Sequence, residues 1–152
     1  MKTFLLTLSL ILCINSFSNT HLYKPADEIS RQLISFLNQF DTVVATHDWH
    51  AVVGMMDENY KTEQLNNMLK GDTLQFIEEF FCGLTQEIND FLCAPPEKIS
   101  HLTRAEIIVD GDIIQAQYMI VLEDGTVIET NWFIKYIKKG TKYTFGIIGA
   151  VG

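Results

Sequence analysis

Regularly spaced hairpin signals in the second half of the chain restrict its fold more than any other feature. Four apolar, β-branched segments alternate with three turn signals: residues 99–109, Asp110-Gly111, residues 113–122, Glu123-Asp124-Gly125-Thr126, residues 127–137, Lys138-Lys139-Gly140 and residues 143–150. Glycine after aspartate supplies the positive φ that tight hairpin turns require. Three successive hairpins predict a four-stranded antiparallel meander. Its long strands are expected to twist and curl, so that one face becomes concave.

Helical periodicity occupies the region before the paired prolines. Residues 25–46 carry apolar side chains at steps of three and four, which predicts one amphipathic helix. A short second helix is expected over residues 49–56, with Asp48 as its N-cap, and the polar residues 57–64 indicate a short strand or turn. A third helix starts at Asp72, with apolar residues at helical steps beyond it. Three helices followed by a curled meander predict an α+β fold in which the helices cross the concave face and close a cone.

The first eighteen residues are typical of a secretory signal peptide. Lys2 precedes an apolar run over residues 4–14, and the small residues Ser16 and Ser18 follow at the positions that a signal peptidase reads. The run is too short to span a membrane, which takes about 20 residues. We therefore expect residues 1–18 to be removed and residues 19–152 to form a single secreted domain.

Two cysteines remain outside the predicted signal peptide, Cys82 and Cys93, eleven positions apart. On one continuous helix they would be roughly 16 Å apart, whereas a disulfide needs Cα atoms within about 7 Å. A bridge therefore requires the chain to turn back between them. We predict the bridge because secretion exposes the pair to an oxidising compartment. The alternative is two buried thiols that act as small apolar residues.

The charge balance is acidic. The chain has 11 basic and 19 acidic side chains, for a formal net charge of -8. Nucleic acids and anionic membranes bind basic surfaces. The composition therefore predicts no nucleic-acid partner and no membrane partner after signal cleavage.

The order of elements resembles that of the nuclear transport factor 2-like superfamily, also called SnoaL-like, over residues 26–150. Four segments carry the resemblance: Thr46-His47-Asp48-Trp49, Met55-Met56-Asp57-Glu58-Asn59-Tyr60, Gly71-Asp72-Thr73-Leu74-Gln75-Phe76-Ile77 and Asn131-Trp132-Phe133. Members act as ketosteroid isomerases, dehydratases, polyketide cyclases, transport adaptors or dimerisation modules. The resemblance therefore implies a fold without fixing one function.

The resemblance also implies a carboxylate base just after the second helix in isomerase-like members. Glu63 is the nearest counterpart here, and Asp57 and Glu58 are weaker candidates. Tyr60 or Tyr118 would stabilise the enolate by a hydrogen bond. However, the stretch around Glu63 is strongly polar, which favours a solvated turn. The helix-one tyrosine of the isomerases also has no counterpart in this chain.

Aromatic side chains offer a second kind of site. The resemblance implies a pocket between the helices and the concave sheet, and Phe36, Phe40, Tyr118 and Trp132 are the side chains predicted to line it for a small apolar molecule. The alternative is that these rings fill the core. A third possibility is a homodimer formed through the outer face of the sheet, as in many family members.

Other chemistries have weaker support. His47 and His50 flank Asp48 in sequence, but no third or fourth ligand completes a zinc motif. No cofactor motif or serine hydrolase motif is present. The Gln-x-Val-x-Gly hairpin of cystatins is absent, and a lipocalin would need eight strands. The sequence thus favours a non-enzymatic module that binds a small ligand or itself, with a Glu63-based isomerase, dehydratase or cyclase as the alternative.

Overall fold

The computed structural model describes residues 28–85 and 90–151. In these residues, four α-helices precede a sheet of six strands. A π-helix at Lys61–Met68 lies between the third and fourth α-helices, and a 3-10 turn at Pro96–Lys98 lies between the second and third strands. The elements are α1 (Glu28–Ala45), α2 (Trp49–Gly54), α3 (Glu58–Tyr60), α4 (Thr73–Phe80), β1 (Cys82–Thr85), β2 (Phe91–Cys93), β3 (Ile99–Asp110), β4 (Ile113–Leu122), β5 (Val127–Lys139) and β6 (Lys142–Val151). The predicted signal peptide lies outside the described residues.

The first two predicted helices and two predicted caps are confirmed. The apolar stripe of α1 is buried, and Asp48 caps α2 by accepting a hydrogen bond of 3.0 Å from the Ala51 backbone N–H. Asp72 caps α4 in the same way, accepting from the Gln75 N–H at 3.0 Å. Aspartate at these positions satisfies a backbone donor that the first helical turn leaves unpaired.

The prediction of a strand or turn over residues 57–64 is wrong, because this stretch is helical. Asp57 accepts hydrogen bonds from the backbone N–H groups of Asn59 and Tyr60, which starts α3. The chain then continues directly into the π-helix, which buries Leu65. Polar residues do not exclude a helix on the surface, and a single buried leucine anchors this one.

The third predicted helix is also much shorter than its apolar periodicity suggested. It ends at Phe80, and the chain turns into the hairpin of β1 and β2. Cys82 and Cys93 are direct partners in this hairpin, with Cα atoms 3.9 Å apart, and they form the predicted disulfide. The bridge closes a loop with a sequence separation of 11, which contributes at most about 3 kcal/mol on the loop-entropy model.

The four-stranded meander is therefore an incomplete description of the sheet. All four of its strands form where they were expected, but the described residues build a six-stranded antiparallel sheet in the order β2-β1-β5-β4-β3, with β6 also paired to β5. The α+β class holds, while the architecture of three helices on four strands is wrong. The two extra strands lie in a segment whose apolar residues fit a helical period equally well.

Strand β5 joins the two parts of the sheet. One side of β5 pairs with β4, and its other side pairs first with β1 and then with β6. The approach of β1 is so close that a Cβ atom at Gly83 would lie 2.1 Å from the Glu129 carbonyl oxygen. Glycine is thus the residue that permits this strand contact.

The core lies between the helices and the inner face of the sheet. Alternate residues of β4 and of the first part of β5 are buried, and the residues between them are half-exposed. The buried row packs against the apolar faces of α1, α2 and α4. The half-exposed residues between them form the other face of the sheet, because successive side chains of a strand point to opposite faces. The described helices do not cover this other face.

We expect Gly83→Ala to lower the free energy of unfolding by about 2 kcal/mol or more, because the added methyl group overlaps backbone atoms that cannot move aside. Urea unfolding would measure the change. Gly54→Ala is the matched control: nothing lies within 4 Å of a Cβ atom there, and Gly54 belongs to α2. Alanine favours a helix over glycine, so this variant should be neutral or stabilising. Equal losses in both variants would contradict the close contact.

Candidate functional site

Three of the four aromatic side chains predicted to line a pocket meet in the core. Phe40 comes from α1, and Tyr118 and Trp132 occupy inward positions on β4 and β5. The ring centroid of Trp132 lies 5.0 Å from that of Phe40 and 4.7 Å from that of Tyr118. Phe36 lies one turn earlier on α1, where its ring contacts Phe145 at 5.5 Å.

Trp132 is enclosed by rings on several sides. Phe80 stacks on it with centroids 5.4 Å apart, and Phe81 meets it edge-on at 5.7 Å, in addition to Phe40 and Tyr118. These separations are typical of aromatic side chains in direct contact. The rings therefore pack around the indole, and they occupy the space in which the sequence placed a ligand.

A charged cluster, which we call the Asp41 cluster, connects α1 to the inner face of the sheet. Its members are Asn38, Asp41, Arg104 and Tyr118. The Tyr118 hydroxyl donates to Asp41 Oδ1 at 3.0 Å, and the Arg104 guanidinium lies 3.0 Å from Asp41 Oδ2. Arg104 also donates to the side-chain oxygen of Asn38. Because Arg104 and Tyr118 are cross-strand partners on β3 and β4, both reach the same carboxylate.

Burial governs the electrostatics of the Asp41 cluster. Loss of solvent raises the pKa of Asp41, and the positive charge of Arg104 opposes this rise. Burial also raises the pKa of Tyr118 far above its ordinary value, and the charge of Asp41 adds to this effect. Tyr118 therefore remains protonated as a donor, and both carboxylate oxygens of Asp41 have a partner. This arrangement fixes α1 on β3 and β4.

Two buried polar atoms next to this cluster have no hydrogen-bond partner among the described residues. They are Thr130 Oγ1 and Trp132 Nε1, on adjacent inward positions of β5. Thr130 is the cross-strand partner of Tyr118. A buried polar group without a partner costs about 1–3 kcal/mol. In the described part of the chain, these two side-chain atoms are buried without a hydrogen bond.

The predicted catalytic pair is not brought together in a buried site. Glu63 lies on the π-helix with its side chain exposed. Tyr60 is half-buried, and its ring packs at 5.9 Å from that of Phe76. Burial raises the pKa of Tyr60, and the charge of Glu79 raises it further. Glu63 therefore faces solvent and not an enclosed pocket.

His47, just before α2, has structural contacts. His47 Nε2 is 2.8 Å from the Ile99 carbonyl oxygen, and its ring stacks on Trp49 at 5.3 Å. Within residues 28–85 and 90–151, no group of three histidine, cysteine or acidic side chains is arranged to hold a metal ion. His47 thus links the start of α2 to β3.

The outward row of the sheet forms a second candidate site, which we call the outer sheet face. It consists of the odd-numbered residues 113–121 of β4 and 127–137 of β5, with their neighbours Ile108, Leu84, Phe91 and Val151. Several of these apolar side chains are strongly exposed: Phe91 at 63%, Val151 at 58% and Ile108 at 46%. Apolar side chains exposed on one sheet face are typical of sites of association.

Polar side chains on the outer sheet face are largely paired within the chain. Gln115 donates to the Asn131 side-chain oxygen at 2.9 Å, and Gln117 donates to the carboxylate of Glu129. These amides form a ladder across β4 and β5. The polar groups at the centre of the face therefore already have partners.

Sequence reasoning missed Asp41, Arg104 and Thr130. Asp41 follows Phe40 directly on the apolar helix, which was a visible but unused signal of a half-buried carboxylate. Its partner Arg104 could not be identified, because 63 positions separate the two and only the sheet register brings them together. Thr130 fits an ordinary strand pattern and carries no local signal.

Comparison with protein-family models, with curated proteins and with solved structures finds no match for this chain. The resemblance to the nuclear transport factor 2-like superfamily therefore stays a prediction. None of the described helices has both the length and the apolar character needed to cross a bilayer.

We expect the pKa of Asp41 to lie above its ordinary value of 3.8. The folded chain then holds this proton more tightly than the unfolded chain. The contribution to stability is fully present below the unfolded pKa and is lost as the pH rises through the folded pKa. Carboxyl-carbon NMR titration would give the midpoint. Arg104→Gln should raise it further, whereas Lys98→Gln, which breaks the distant pair with Glu123, should leave it unchanged.

We expect Thr130→Val to raise the free energy of unfolding by about 1 kcal/mol, because it removes a buried hydroxyl without a partner at nearly constant volume. Thr85→Val is the matched control. Thr85 is also buried, but its hydroxyl is 3.2 Å from both the backbone oxygen and the backbone nitrogen of Asp90, so its loss should destabilise. Urea unfolding measures both. Comparable destabilisation by the two variants would show that Thr130 has a bound partner.

Proposed function

We propose that this protein is a secreted, non-enzymatic module that forms a homodimer through the outer sheet face. The observation that carries this proposal is the set of exposed apolar side chains on β2, β3 and β6, on a sheet face that no described helix covers. A sheet with one buried and one solvated face usually places polar residues on the solvated side. Here Phe91, Ile108 and Val151 break that rule.

The charges on β5 favour a second copy of the chain as the partner. Glu129, Asn131, Phe133 and Lys135 point outward in succession, and the two charged residues lie at equal distances from the middle of this set. A two-fold axis between Asn131 and Phe133 would place Glu129 of each copy opposite Lys135 of the other. The face is thus complementary to itself, as an isologous interface requires.

The size of the face is sufficient for a weak dimer. Four strands about 4.8 Å apart and about ten residues long, at about 3.3 Å per residue, cover roughly 600 Å². Two such faces would bury roughly 1,200 Å² in total, at the lower end of the range for specific interfaces. We therefore expect association in the micromolar range, weaker than that of obligate dimers.

The disulfide supports the secreted part of the proposal. Cys82 and Cys93 are bridged, and such bridges persist mainly in oxidising compartments. This agrees with the signal peptide expected over residues 1–18. Membership of the nuclear transport factor 2-like superfamily is part of the same proposal. Helices packed on one face of an antiparallel sheet support it.

The interior and the polar helices give less support to the alternatives. A small apolar ligand would need the space around Trp132 that Phe40, Phe80 and Phe81 occupy. An isomerase would need a shielded base, whereas Glu63 is exposed. Association through the outer sheet face requires neither an opening of the aromatic core nor a shielded carboxylate.

Sedimentation equilibrium over a range of concentrations tests the dimer and its two-fold axis together. Glu129→Lys and Lys135→Glu should each weaken dimerisation about tenfold, because the symmetry repeats each like-charge contact twice. The double variant Glu129→Lys/Lys135→Glu should restore the affinity, because it exchanges the two charges.

Glu97→Lys serves as the control, since it makes the same charge change on the distant 3-10 turn. It should leave the affinity unchanged. A wild-type protein that stays monomeric up to millimolar concentration would contradict the dimer. Single variants that dimerise as well as wild type would contradict the proposed axis.

A further inference from the structure

We propose that the tip of the β5–β6 hairpin binds a linear, sulfated polysaccharide. Four of the 11 basic residues of this acidic chain lie between positions 135 and 142, and no acidic residue follows Glu129. The net charge of -8 therefore hides a separation of charge between an acidic body and a basic hairpin. We call residues 135–145 the lysine arm.

The lysines of the arm have no carboxylate partner among the described residues. Arg31, Lys61, Lys98 and Arg104 each form an ion pair with a carboxylate elsewhere in the fold. By contrast, Lys138, Lys139 and Lys142 are exposed and take part in none of these pairs, and the isolated Lys70 before α4 shares this state. Lys135 is exposed too, but the dimer proposed above pairs it with Glu129 of a second copy. The arm thus keeps its positive charge available to an external anion.

The arrangement at the tip costs stability. Lys139 and Lys142 are direct cross-strand partners on either side of the turn at Gly140. Like charges directly opposite each other destabilise a hairpin. A bound anion between the two ammonium groups would turn this repulsion into attraction.

The lysine arm is held in place from two sides. The Gln32 side chain on α1 accepts from the Tyr143 backbone N–H at 2.8 Å and donates to the Thr141 carbonyl at 3.2 Å. On the other side, the Tyr136 hydroxyl donates to the Gly111 carbonyl at 2.9 Å. The lysines are therefore displayed on a braced support, which reduces the entropy lost on binding.

The shape of the arm favours a thin chain over a flat or stacked partner. Lys138 lies on the inner side of the hairpin, over the Tyr143 ring at 5.6 Å, whereas Lys139 and Lys142 share the other side. A flat bilayer cannot contact both sides, but a flexible polymer can.

Single-stranded nucleic acid binds through bases stacked on free aromatic rings. The Tyr143 ring already contacts Lys138, Tyr136 and Phe145, so it offers no open platform for a base. A linear polyanion without bases can contact both sides of the hairpin, and it needs no open aromatic ring. A sulfated polysaccharide also fits the extracellular location proposed above.

Isothermal titration of the oxidised full chain with heparin, a sulfated linear polysaccharide, tests this inference. The triple variant Lys138→Gln/Lys139→Gln/Lys142→Gln should bind at least about tenfold more weakly than wild type, and wild-type affinity should fall steeply with added salt. The control Arg31→Gln/Lys70→Asn/Lys98→Gln removes the same charge elsewhere and should change the affinity less than about twofold. Thermal unfolding of each variant verifies that it is folded.

Three results would overturn the inference: no binding of heparin by the wild type, an equal loss in both triple variants, or tighter binding to phosphatidylserine vesicles or oligothymidine than to heparin at the same salt concentration. The lysine arm variants leave Glu129 and Lys135 intact. The outcome is therefore independent of the test of the dimer.

Discussion

The pairing of strand β5 with three neighbouring strands is the constraint on which the rest of the structure depends. The strand pairs with β4 along one side and with both β1 and β6 along the other, so every part of the sheet is connected through it. Its inward row carries Trp132, whose ring is the centre of the aromatic core. Its outward row carries the charges and the phenylalanine of the proposed dimer face. One strand thus supplies both the interior and the surface on which function is proposed.

The closeness of β1 to β5 has consequences for the chain before it. Gly83 is the residue that lets the two backbones meet, and the adjacent disulfide holds the short β1–β2 hairpin together. A hairpin of two short strands has little stability alone in water. It persists here because it extends an existing sheet, and its position leaves Phe91 exposed beside the outer sheet face.

The two polar features of the molecule have opposite characters. In the Asp41 cluster, a half-buried carboxylate has a positive charge and a hydroxyl as partners, which ties α1 to β3 and β4. On the lysine arm, positive charges face one another and water. Paired charges inside a fold are explained by the fold itself, whereas charges that face water on a braced hairpin are available to an external partner. This contrast is why we assign a structural role to the first and binding to the second.

Local chemistry in the sequence determined the turns, the caps and the alternation of the four long strands. Asp48 and Asp72 cap helices because their side chains reach backbone groups only a few residues away, and the glycines after β3 and β5 turn because of their own φ angles. The tertiary structure decided the rest. Residues 82–93 fit a helix or a hairpin by apolar pattern. The predicted disulfide required a turn between the cysteines, and pairing with the open edge of β5 placed β1 and β2 in the sheet. Likewise, Arg104 meets Asp41 through sheet register alone. Such contacts join distant positions, and no local pattern encodes them.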